Sequence, residues 1–210
     1  MIIQTIRLLL LFLMAATSHQ LLAQPIAWQK TPLDSVASVT FPGVASKKDD
    51  HGRPLYLCSD STSIYMVSIQ RTKSQKEVEG EQLEAFYKGV LLGVLKTTGG
   101  GEVLHKSSFV VAGFSGIEAQ FTTPDKPELP ANKFMRVLAV NGTIYVLSFW
   151  TDADPVSTAA DRDKFFSSLQ LNVTKRAAAD HSTAYEIGRQ TGRVAFLCCY
   201  LVVPCCSYGG

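Results

Sequence analysis

From Lys133 to Trp150 the chain reads KFMRVLAVNGTIYVLSFW, two β-branched and aromatic runs joined by Asn141-Gly142. That pair accepts the positive φ angles of a type I′ turn, so the stretch predicts a tight hairpin. Its apolar positions occupy both faces. On the first run Phe134, Leu138 and Val140 fall on one side, and Met135, Val137 and Ala139 on the other. On the second, Ile144, Val146 and Trp150 oppose Tyr145, Leu147 and Phe149. A strand pair wetted on one side alternates apolar with polar residues. This hairpin is therefore expected at the covered centre of a sheet, with helices shielding it.

The same periodicities place the other elements. Gln24 to Leu33 reads as an extended lead-in anchored by Trp28. Val36 to Phe41 alternates as a strand stopped by Pro42-Gly43, and KKDDHGR, Lys47 to Arg53, reads as a polar turn. Pro54 to Ser59 and Ser63 to Arg71 predict a hairpin, with Tyr65, Val67 and Ile69 on one face of its second strand. Glu77 to Lys96 carries apolar residues at three- and four-residue spacing and acids at its start, the pattern of a long helix. Gly89 and Gly93 would let it lie close to a sheet. Val103 to Val111 and Phe114 to Thr122 form a further hairpin around Ala112-Gly113. The second strand's Glu118, Gln120 and Thr122 predict one wet face. PDKPELP, Pro124 to Pro130, reads as a stiff exposed loop. A second helix is expected near Thr158 to Leu169, capped by Ser157 or Thr158, and Leu171 and Val173 could add an edge strand.

The order is three strands, a long helix, four strands, a shorter helix and an edge strand. It predicts an α+β class with an antiparallel sheet of about six or seven strands and two main helices. Residues 24–174 form the domain, flanked by a signal segment, 1–23, and a tail, 175–210. In the signal, Arg7 supplies the charge, Ile6 to Ala16 the apolar run, and Leu21-Leu22-Ala23 a cleavage site. The chain is therefore expected to be exported, to the periplasm or cell envelope.

Charge narrows the partners. The net charge is +2, and Arg7 is the one charged side chain of residues 1–23, so the rest carries +1. No Lys/Arg stripe forms, which argues against nucleic acid. Of the five cysteines, Cys58 stands alone in the domain, whereas Cys198, Cys199, Cys205 and Cys206 crowd the tail. The domain is not a disulfide scaffold and must stand on its core. The tail is continuously apolar from Val194 to Val203, and Pro204 interrupts it. Taken to Tyr208 as a helix it would reach about 22 Å, against about 30 Å for a bilayer core. A partial or interfacial membrane contact is expected there, the alternatives being packing on a partner or a disordered end. The tail cysteines suit apolar packing, disulfides or, less well by their spacing, metal.

Catalytic constellations are thin. His51, His105 and His181 stand beside no nucleophile, and Asp49-Asp50-His51 reads as a solvated turn rather than a cation site. Asp152, Asp154, Asp161 and Asp163 fit turn and helix-start chemistry. Gly99-Gly100-Gly101 lacks the Lys-Ser/Thr of a phosphate loop, and no Gly-x-Ser-x-Gly elbow occurs. No catalytic, cofactor-binding or metal-ligating residue is assigned, and no cofactor is expected.

The run Ser38-Val39-Thr40-Phe41-Pro42, the long helix, Gly113-Phe114-Ser115-Gly116-Ile117-Glu118, Asn141-Gly142-Thr143-Ile144-Tyr145 and Phe165-Phe166-Ser167-Ser168-Leu169 together resemble the PsbP-like α/β/α sandwich family. That family is shared by a photosystem extrinsic subunit and exported bacterial proteins of the DcrB-like kind. The resemblance covers Trp28 to Val173, and the tail after Lys175 departs from it. It implies a non-enzymatic module, often at a membrane surface, that binds protein partners, with no shared catalytic motif to carry over. The expected function is an exported, non-catalytic, envelope- or membrane-associated module acting through protein contacts. The alternative is a small-molecule or metal-binding periplasmic protein using the wet face of the Phe114 to Thr122 strand, with an enzyme as a third class.

Overall fold

The computed structural model describes residues 27–50, 52–72, 80–123, 126 and 128–173. The central hairpin lies where its two-sided apolar pattern places it. Strands β8 (Asn132–Val140) and β9 (Thr143–Thr151) pair antiparallel across Asn141 and Gly142, whose φ angles are +46° and +76°. Val137, Val146 and Leu147 are 0%, 2% and 0% exposed, so both faces of the hairpin are covered.

Around it runs a seven-stranded antiparallel sheet in the order β3-β4-β5-β9-β8-β7-β6. Its other members are β3 (Ser46–Asp50), β4 (Arg53–Ser59), β5 (Ser63–Arg71), β6 (Val103–Val111) and β7 (Phe114–Phe121). A separate three-stranded sheet orders β1 (Gln29–Pro32), β2 (Ala37–Phe41) and β10 (Gln170–Leu171) as β1-β2-β10. Helix α1 (Gly80–Thr97) covers one face of the large sheet, packing Phe86, Val90 and Val94 against Met135, Val137 and Val146. Gly89 and Gly93 are buried on this side. Helix α2 (Ala159–Ser167) and the small sheet cover the other face, where Phe165, Phe166, Val39 and Phe41 meet Phe134, Leu147 and Phe149. The architecture is an α+β sandwich with α1 and α2 on opposite sides.

Several expectations are corrected. Lys47 to Arg53 is not one polar turn: Ser46 to Asp50 pairs with β4, which begins at Arg53, and Asp49 Oδ1 accepts from the Gly52 amide at 2.7 Å. The lead-in contains a true strand, β1, and with β3 this makes five strands rather than three before α1 among the described residues. The edge strand after α2 joins the small sheet by pairing with β2. Neither Ser157 nor Thr158 caps α2 through its side chain; both hydroxyls donate backwards to the Asp154 carbonyl, at 2.7 and 3.3 Å. In the loop before β8, Leu129 and Pro130 are buried rather than exposed. Glu77, His51, the signal and the tail lie outside the described residues.

Candidate functional site

A sheet presents unpaired amides and carbonyls along its outer strands, and proteins ordinarily blunt those edges with charge, proline or brevity. At one end of the large sheet, β3 follows this rule: it has five residues, and Lys47, Lys48 and Asp49 are exposed. The opposite edge is longer and more apolar, although it carries Lys106 and a register shift between Val103 and His105. Strand β6 runs for nine residues, VLHKSSFVV, with no strand beyond it among the described residues. Leu104 and Val110 are 53% and 66% exposed, and Lys106 and His105 are its titratable side chains.

The strand is fixed rigidly from behind. Its register on β7 sets Phe109 opposite Gly116, and the ring lies over the glycine: a Cβ there would come within 2.5 Å of Phe109 Cζ. Beyond the ring stands Arg136 of β8. Its guanidinium lies 4.8 Å from the Phe109 centroid and 5.1 Å from that of Phe166 on α2, and its Nε donates to Glu118 Oε2 at 2.6 Å. One side chain thus ties the edge strand's aromatic to the covering helix. Glu118 was expected to face water, but the ion pair and the two rings leave it half-buried. Gln120 and Thr122 are half-buried too.

Two open hollows adjoin one another at the β1–β2 turn, sharing Asp34 and Ser35, with volumes of about 440 and 390 Å³. The smaller is floored by Leu33 and Ile69 and edged by Lys47 and Arg71. Asp34 is already engaged. Its Oδ1 accepts from the amides of Val36 and Ala37 at 2.7 and 2.8 Å, and its Oδ2 accepts from the Tyr145 hydroxyl at 2.7 Å. Burial, and then this carboxylate, push the Tyr145 phenol well above its ordinary range.

Lys133 is the least expected charged group, being 1% exposed. Its Nζ donates to the Pro130 carbonyl and lies 5.7 Å from the Trp150 ring centroid. Burial pulls the amine down to about 8, partly opposed by Asp152. Period-two alternation from Met135 and Val137 would have turned Lys133 inward, so the signal was present in the sequence. Cys58 is buried, and burial followed by the charge of Asp60 pushes its thiol up, away from reactivity. His105 lies exposed on β6; Asp152 Oδ1 accepts from the Ala131 amide at 2.8 Å, a contact across 21 residues rather than a local turn, while Asp154 Oδ2 accepts from the Ser157 amide at 3.3 Å. Asp163 pairs with Arg162 at 3.0 Å. The structure brings none of the histidines and aspartates weighed in the sequence together into one catalytic arrangement among the described residues.

No family model matches the chain. A search of curated proteins likewise returns no match. Among solved structures, the solution structure of cyanobacterial PsbP (CyanoP) from Synechocystis sp. PCC 6803 superposes with a TM-score of 0.53, covering 70% of this chain and 93% of that one at 14% identity. The fold is PsbP-like. PA94, a Pseudomonas aeruginosa protein of unknown function, overlaps at a TM-score of 0.44 and 12% identity, over 72% of this chain and 99% of its own. At such identities the likeness concerns architecture alone. Within this fold α1 and the α2 layer protect the two faces of the large sheet, while the β6 edge and the Asp34 hollows are accessible among the described residues.

Proposed function

We propose that this chain is an exported, non-catalytic module of the cell envelope that works by binding protein along the β6 edge. The observation that supports this most is the contrast between the charged, five-residue β3 edge and the nine-residue β6 edge with Leu104 and Val110 exposed. An added strand would gain main-chain hydrogen bonds from such an edge and specificity from its outward side chains. A PsbP-like fold is compatible with that role. Under this reading residues 1–23 direct export, and Val194 to Tyr208, outside the described residues, touches the membrane. A photo-crosslinking residue at Ser107, with one at Lys48 as control, tests the surface in intact cells. Adducts are expected from position 107 alone; none at 107, or equal yields at both, would refute it. Fractionation tests the tail: the full chain should sediment with membranes and a chain ending at Lys175 should not, and two soluble chains would remove the tether.

One observation favours a second reading, capture of a small anion. Lys47 and Arg71 edge the same hollow, whose floor is apolar. Thermal shift with inorganic phosphate or a short carboxylate, lost in R71A, would support it; no shift would dismiss it.

A further inference from the structure

We propose that the occupant of the β6 edge is a second copy of this chain, paired antiparallel about a two-fold axis through Ser107. The inference rests on the reading of β6 as the contact surface and names its partner. Its basis is the pattern of β6 about that serine. Leu104 and Val110, the two strongly exposed apolar side chains of the strand, stand three residues either side of it. His105 and Phe109 stand two residues either side. Leu104 has no partner on β7, because the register shifts between Val103 and His105.

A two-fold axis sets each position before Ser107 opposite the equivalent position after it in the copy. Leu104 then meets Val110 of the copy, His105 meets Phe109, and Lys106 meets Ser108, whereas Val103, beyond the register shift, faces the α1 side and Val111 the other. The two lysines approach only diagonally. Neighbouring centres fail this test. An axis at Lys106 sets the two lysines directly opposite each other and Val110 against Glu102. An axis at Ser108 sets Lys106 against Val110 and sends Leu104 to Ala112, in the turn. Opposed like charges and unmatched apolar residues disfavour both registers. Of the three centres, Ser107 alone gives both exposed aliphatics an apolar neighbour along the strand.

The layers are compatible with this register. Lys106, Ser108 and Val110 lie opposite Ala119, Ile117 and Ser115 of β7, and Ala119 and Ile117 belong to the core beneath α1. Like any axis centred on a residue, the one at Ser107 pairs residues of like parity, so from His105 onward the joined sheet is continuous and carries both copies of α1 on one side. The Arg136 clamp on Phe109 holds β6 ready for this pairing, reducing the ordering cost of association. A single strand pair covers less than the roughly 1,200–2,000 Å² of stable complexes, so the dimer is expected to be weak and concentration-dependent.

Sedimentation velocity on the full chain, with reductant present so that the tail cysteines cannot bridge, reads the association. The wild-type chain should dimerise reversibly on a dilution series. L104E and V110K should each weaken the dimer by about tenfold or more, since each inserts two charges opposite an apolar residue. Combining them sets the introduced carboxylate of one copy against the introduced ammonium of the other at both ends. The double variant should recover dimerisation to within about threefold and become salt-sensitive. Far-UV circular dichroism and melting confirm that each variant is folded. A wild-type chain that stays monomeric to about 1 mM overturns the proposal. So do single variants that dimerise unchanged, or a double variant no better than the singles. A monomeric chain that still yields adducts with another protein from position 107 leaves the contact surface standing and removes only the self-pairing. The absence of any adduct from position 107 removes both.

Discussion

The Tyr145 hydroxyl in β9 donates to the Asp34 carboxylate in the β1–β2 turn at 2.7 Å, joining two residues 111 positions apart. Because the other oxygen of Asp34 accepts from the Val36 and Ala37 amides, one side chain both shapes the turn and ties the small sheet to the large one. D34A should destabilise the fold by about 2–4 kcal/mol and Y145F by about 1–2, since the first orphans three donors and the second removes one. Urea denaturation of both variants and their double should give a coupling of about 1 kcal/mol or more. Additive losses would show that the hydrogen bond contributes nothing of its own.

Lys133 makes stability depend on alkaline pH. Its folded value is about 8 against an ordinary 10.5, so between those values the unfolded chain holds a proton that the folded chain has released. Stability should therefore rise with pH from about 8, by at most about 1.4 kcal/mol per unit. Above about pH 10 the trend should reverse, because Tyr65, Tyr87 and Tyr145 are all held in their neutral form by burial. Chemical denaturation at pH 7, 8, 9 and 10 should show the rise in the wild-type chain and a flatter profile in K133M.

The Arg136 clamp depends on a flat guanidinium between two rings, a geometry that an ammonium cannot reproduce. R136K should cost about 1–2 kcal/mol, and more than E118Q, because the stacking on Phe109 and Phe166 is lost along with the fork. Raising salt to 1 M should leave most of the wild-type stability intact. A strong salt dependence would instead assign the effect to the Glu118 ion pair.

Gly101 adopts a φ of +124°, and a Cβ there would lie 2.0 Å from the Thr122 carbonyl oxygen. G101A should therefore cost about 3 kcal/mol or more, combining backbone strain with a collision against main chain. Gly52 is the control: its φ is +78° but no atom lies within 4 Å of the added carbon. G52A should cost only about 1 kcal/mol, the penalty of the left-handed region alone. Equal losses would contradict the close approach at Gly101.

The central hairpin was legible in the sequence because both of its faces repeat with period two and Asn141-Gly142 marks its turn. The long helix was legible for the matching reason, its apolar residues recurring at helical spacing. Strand β3 was not. SKKDD has no apolar alternation, and its extended form follows from pairing with β4 rather than from its own side chains. The α2 start was misjudged because Ser157 and Thr158 found a nearer acceptor in the Asp154 carbonyl than in the helix amides. The Asp34–Tyr145 bond and the Arg136 clamp depend on which strands become neighbours, which no local pattern encodes. The exposed edge itself was hidden for a related reason: VLHKSSFVV reads like any strand until the sheet order places it last.

The charge on β3 sets a limit on growth. Two molecules joined along β6 would leave the five-residue β3 strands as the outer borders of the joined large sheet, with Lys47, Lys48 and Asp49 exposed along them, and short, charged borders disfavour the addition of another strand. A pairing along β6 would therefore favour a closed pair over a fibre.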